Sequence, residues 1–123
     1  MEISSLKTVS AVVLALFFIV AGANHFWHPK WYERIVPPSL PLPALLVQIS
    51  GAAEIAGGIG VLIPALRLYA GIGLVLLLIA VFPANVYMAQ HAQAFSRVAS
   101  PALLWIRLPL QAALIAWVWW TCA

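Results

Sequence analysis

Residues 44–63 read ALLVQISGAAEIAGGIGVLI, a run of 20 with a single charge, Glu54, set among small and aliphatic side chains. About 20 apolar residues are what an α-helix needs to cross the hydrocarbon core of a bilayer. A helix at a water-exposed surface would carry a charged face, and this run has none. It is therefore read as a membrane span. The rest of the chain agrees: 65% of its 123 residues are hydrophobic and 7% are charged, where a soluble domain carries about 25% charged residues.

Three more stretches have the same character, at about residues 6–23, 68–89 and 102–120. The first is longer than the apolar core of a cleavable signal peptide, about 7–15 residues, so it too is read as a span. Only Pro64–Leu66 and Arg67 separate the second span from the third, which makes them an antiparallel hairpin. The expected fold is all-α: a polytopic membrane protein forming one antiparallel four-helix transmembrane bundle over residues 1–123.

The loop 24–43, NHFWHPKWYERIVPPSLPLP, joins the first two spans. Trp27, Trp31 and Tyr32 suit the headgroup level, where aromatic side chains concentrate. Pro29 can open a short interfacial helix that places Trp31 and Ile35 on one face. Pro37, Pro38, Pro41 and Pro43 forbid its continuation. Inside the third and fourth spans, Pro83 and Pro109 predict kinks or local unwinding. Net charge is +3 with no basic cluster, which reads as contact with lipid headgroups and not with nucleic acid. Lys7 and Arg67 flank one side of the membrane and Lys30, Arg34 and Arg97 the other. That balance leans only slightly toward termini outside the cytoplasm. One cysteine, Cys122, excludes an intrachain disulfide and dithiol chemistry.

Ionisable residues inside spans are costly, face protein or water, and usually have partners. Here there are two, Glu54 and Arg107. Counted from the shared side of the membrane, they lie about ten and about six residues into their spans, a depth difference of roughly 6 Å. Opposite charge and similar depth predict a buried Glu54–Arg107 ion pair. Asn24, His25, Gln48, Ser50, Asn85 and Gln111 fall in the same half of the bilayer, while the opposite half reads as almost free of polar groups. Two readings follow. In one, the cluster is a hydrogen-bonded network that fixes helix register. In the other, Glu54, Arg107, Asn85, Gln111, Gln48, Asn24 and His25 line a ligand pocket, with Trp27 and Trp31 closing its mouth. His25, His28 and His91 share one interface and are read as hydrogen-bonding groups more readily than as metal ligands. Ala52, Ala56 and Gly60 recur every four residues and Gly57 follows Ala53 by four. These are the expected helix-packing positions.

Four motifs, AGANHFWHPKWYERIVPPSLPLP, SGAAEIAGGIGVLIP, AVFPANVYM and IRLPLQ, in this order and across nearly the whole chain, resemble the DoxX-like family of small four-span bacterial membrane proteins. The resemblance implies a four-helix membrane bundle in the bacterial inner membrane, with Glu54, Asn85 and Arg107 at the characteristic intramembrane polar positions. It also implies links to quinone-dependent membrane oxidoreductases and, among distant animal relatives, to assembly of nicotinic receptors. The first functional expectation is therefore an accessory or anchor subunit that binds a quinone or lipid-like ligand. The second is an assembly factor, meeting a membrane-protein partner or another copy of itself through the small-residue face. A third, a small-molecule or proton carrier, rests on the mid-membrane carboxylate and lacks the internal repeat of many transporters.

Overall fold

The computed structural model describes residues 3–97 and 99–123. They form helices α1 (Ile3–Trp27), α2 (Pro29–Ile35), α3 (Pro43–Leu62), α4 (Arg67–Gln90) and α5 (Pro101–Cys122), with a 3-10 turn at Ala92–Phe95 and no strand among the described residues. α1, α3, α4 and α5 are each long and apolar enough to cross a membrane. The chain is an all-helical, multi-pass membrane bundle. α2 is the short helix opened by Pro29. It lies across the end of the bundle shared by the α1–α3 and α4–α5 connections, called the loop side below. There Ile35 is buried and Trp31 is packed against it on the same face.

The helix order around the bundle is set by contact. α3 packs on α1 and α4, and α5 packs on α4 and α1. α3 and α5 therefore stand on a diagonal. Apolar burial gives little drive for association between helices in lipid, so close packing decides which faces meet. On α1 the buried positions Ala11, Ala15, Phe18, Gly22 and His25 step by four and three. On α3, Val47, Gly51, Glu54, Gly58 and Val61 step the same way. Alternating steps of four and three hold one helix face against a partner over many turns. The two helices interlock backbone to backbone. A Cβ added at Gly22 would sit 2.6 Å from the Gly51 carbonyl oxygen, and one added at Gly58 would sit 2.9 Å from the Ala15 carbonyl oxygen.

One expectation about small residues is corrected here. Ala52 and Ala56 are exposed on the outside of the bundle. A strict four-residue step drifts around the helix at 3.6 residues per turn, so the stripe leaves the packed face. Gly57 and Gly60 do pack, but on α4, against Leu74 and Ala70. The prolines bring a second correction, to the unwinding alternative: α4 runs through Pro83 and α5 through Pro109 as continuous helices.

Candidate functional site

Polar side chains gather in two separate clusters on the loop side, on opposite pairs of helices. The first joins α1, α2 and α3. Glu54 occupies a core position of the α1–α3 seam and is 9% exposed. Its nearest ionisable neighbour is His25, with Nδ1 to Oε2 at 3.5 Å. That is too long for a good hydrogen bond, and His25 Nδ1 already lies 2.8 Å from the Ala21 carbonyl oxygen. Glu54 Oε2 is consequently buried with no hydrogen-bond partner, as is Ser50 Oγ one turn away on the same helix. Gly22 and Gly51 make room for the pair: a Cβ at Gly51 would lie 2.7 Å from His25 Cβ, and one at Gly22 3.0 Å from Glu54 Cβ. Above it, the Tyr32 ring of α2 stacks on the His25 ring, with centroids 4.0 Å apart and planes 15° from parallel. Tyr32 Oη accepts a 2.6 Å hydrogen bond from Asn24 Nδ2. Over this stack opens a cleft of about 270 Å³ lined by Asn24, His28, Trp31 and Tyr32.

The second cluster joins α4 and α5. Gln111, 6% exposed, accepts from Asn85 Nδ2 through Oε1 and donates through Nε2 to the Leu78 carbonyl oxygen. Leu78 stands one residue before Ile79, whose carbonyl faces the ring of Pro83 and has no donor there. The Gln111 carboxamide thus uses both its ends and ties the proline-bearing segment of α4 to α5. This cluster is satisfied within itself. Beside it a shallow apolar crevice of about 280 Å³ runs between Ile79 and Phe82 on one wall and Leu108, Ala112 and Ile115 on the other.

The expected Glu54–Arg107 pair does not form. Arg107 is exposed, and among the described residues the ionisable group beside Glu54 is His25. The reason is azimuth, not depth, because α3 and α5 lie across the diagonal of the bundle. Gln48 is exposed and belongs to neither cluster. Trp27 is 80% exposed and is not among the residues lining the cleft, so Trp31, not Trp27, borders it. Asn24 and His25 do meet Glu54's surroundings, whereas Asn85 and Gln111 form the other cluster. Tyr32 carries more of the site than its sequence context suggested. It lies on α2, past the helix break at His28, so no helical spacing from His25 could mark it.

The half of the bundle away from the loop is not free of polar groups either. Ser10 Oγ and Thr121 Oγ1 share a 2.7 Å hydrogen bond, and Trp117 Nε1 donates to Ser10 Oγ at 2.8 Å. Arg67 Nε donates to the Val61 carbonyl oxygen at 2.8 Å, and the Lys7 ammonium lies 5.4 Å from the Trp120 ring centroid.

Fold and site define a small multi-pass helical membrane protein with a buried acid–histidine pair under an aromatic, interfacial cleft. The sequence profile of the domain of unknown function DUF8561 matches residues 14–122. The chain belongs to that family, and the match spans every member of both loop-side clusters. No curated protein and no solved structure matches the chain.

Proposed function

We propose that the protein binds a polar-headed amphiphile, a quinone or a lipid-like molecule, in the cleft bounded by Asn24, His28, Trp31 and Tyr32. One observation carries this reading: Glu54 Oε2 is buried without a hydrogen-bond partner, as is Ser50 Oγ one turn away, and Glu54 is linked to the cleft through His25, on whose ring the cleft residue Tyr32 stacks. A buried polar atom left unpaired costs about 1–3 kcal/mol, so natural structures seldom keep two on one helix face without a water or ligand to satisfy them. The Tyr32 and Asn24 side chains offer hydrogen bonds to a head group, and Trp31 supplies an apolar wall. The buried Glu54–His25 pair behind Tyr32 gives the site a polar, ionisable floor. Following its resemblance to the DoxX-like family, the chain serves as an accessory or anchor subunit in the bacterial inner membrane and is not a catalyst on its own.

The test is native mass spectrometry of protein purified gently from its own membrane, wild type beside Glu54→Gln and Tyr32→Ala. A small molecule near one per chain, retained by the wild type and depleted in both variants, is expected. Equal retention in all three, or none in any, sinks the proposal.

A second reading has its own observation. Ala52 and Ala56 form an exposed small-residue edge on the outer face of α3, of the kind that lets a helix from another chain approach closely. In this reading the protein is an assembly factor or interaction module. Ala52→Leu and Ala56→Leu would then abolish recovery of a partner chain and leave the cleft ligand in place.

A further inference from the structure

Helices α1 and α5 are antiparallel neighbours, joined at Ser10 and Thr121. Steps of seven residues, which return a helix close to the same face, lead from that contact to Phe17 and Asn24 on α1 and to Leu114 and Arg107 on α5. The first level is closed by the Ser10–Thr121 hydrogen bond. At the second, Phe17 meets Trp117 edge to face, with centroids 6.3 Å apart, and Leu114 packs against the core. By equal residue counts from that contact, two more turns bring Asn24 level with Arg107, and among the described residues no hydrogen bond or ion pair joins the two. Arg107 is exposed, Asn24 is half-buried, and Asn24 lines the cleft with His28, Trp31 and Tyr32. None of the described carboxylates pairs with Arg107.

We infer that the open half of the α1–α5 seam is a lateral binding site for an anionic phospholipid, whose phosphate sits on Arg107 beside Asn24. Arg107 lies six residues beyond Pro101, about 9 Å along the helix. A helical side chain leans toward its own N-terminus, which for α5 is the loop side. The guanidinium therefore reaches up to phosphate level while its stem stays in the apolar layer. Its planar fork matches a phosphodiester in charge and in shape. Exposed Leu103 and Leu110 on α5, and Phe17 and Val20 on α1, give the seam apolar lips along which an acyl chain can lie. The inference rests on the cleft reading above and narrows its ligand from any polar-headed amphiphile to an anionic-headed lipid.

The experiment uses the full chain in nanodiscs of equal phosphatidylcholine and phosphatidylglycerol with added ubiquinone. Native mass spectrometry then identifies what each protein retains. The wild type is expected to hold one phosphatidylglycerol per chain, favoured over phosphatidylcholine by about fivefold, the scale of one basic residue acting on an anionic lipid surface. Arg107→Gln should bring that ratio to one. Arg107→Lys, which keeps the charge, should restore part of the preference and so separates loss of charge from loss of fold. Soluble glycerol phosphate should not displace the bound lipid. Displacement by it would overturn the lipid assignment in favour of a free phosphate. Retained ubiquinone or phosphatidylcholine, indifferent to Arg107→Gln, would overturn this inference and leave the cleft reading standing. No retained ligand of any kind would take both down. A second protein chain held through Arg107 and released by Arg107→Gln would also overturn it, by giving the guanidinium a carboxylate partner.

Discussion

The two ends of the α1–α5 seam are built from the same seven-residue register and do opposite things. Away from the loop, Ser10, Thr121 and Trp117 tie the helices together with two hydrogen bonds. On the loop side the corresponding residues, Asn24 and Arg107, do not close on each other. Asn24 turns to Tyr32 of α2, and Arg107 is left on the surface. The α1–α3 seam offers the complementary contrast. It is closed by glycine-to-backbone contacts at Gly22, Gly51 and Gly58, yet it hides a carboxylate oxygen left without a partner. Close approach and polar satisfaction are thus separate properties in this bundle, and the candidate site lies where they part.

The harshest way to break that contrast is to wedge the closed seam. Gly51→Leu drives a side chain into His25 and the Gly22 carbonyl and is expected to cost about 3 kcal/mol or more, above the usual range for overpacking. Detergent-titrated unfolding followed by circular dichroism measures it. Ala52→Leu, one residue along but on the outer face, should leave the same curve within about 0.5 kcal/mol. A comparable loss from both would mean that α3 is turned differently in the bundle.

Next in size is the α4–α5 tie. Gln111→Leu strands Asn85 and the Leu78 carbonyl together, for an expected loss of about 1–2 kcal/mol. If the tie is one unit, adding Asn85→Ala to Gln111→Leu should cost less than the sum of the two single changes. Strict additivity would show that the residues act independently.

Smaller still is the far-end bond. Thr121→Val should cost about 0.6 kcal/mol, the average for an interhelical hydrogen bond in a membrane protein. A sharper test of the two halves of the seam uses cross-linking in a Cys122→Ala background. Ser10→Cys with Thr121→Cys should oxidise to a disulfide, since bridging requires the two Cβ atoms to lie within about 4.5 Å. Asn24→Cys with Arg107→Cys should not. Efficient bridging of the second pair would mean that the loop-side seam is closed.

Much of this architecture was legible from hydropathy and prolines. The four spans follow from unbroken apolar runs, and α2 follows from Pro29 ahead of Trp31 and Ile35. Glu54 stood out because a lone carboxylate in a span demands an explanation. Its partner did not follow, because counting residues gives depth along a helix and says nothing of which helices are neighbours. Residue counting puts His25 at the same end of the bundle as Glu54, but only the circular order of the helices puts it beside Glu54 and moves Arg107 across the diagonal. Face selection on α3 failed for a related reason. Two small-residue periods overlap there, and the four-residue stripe of Ala52, Ala56 and Gly60 is the more conspicuous. The four–three stripe of Val47, Gly51, Glu54, Gly58 and Val61 is the one a helix can keep pressed against a neighbour. Ser10 and Thr121 escaped notice because hydroxyls near span ends are common and carry no charge to mark them.

Cys122 is buried at the far end of α5, where its side chain packs against Gly71 of α4 and fills the space a Cβ there would need. As the chain's one thiol, it is shut away from reagents for as long as α5 stays docked. The protein therefore contains its own alarm for helix separation. A thiol-reactive dye added to the native membrane should stay dark while the bundle is assembled, and its rate of brightening would time how often the fourth span lets go.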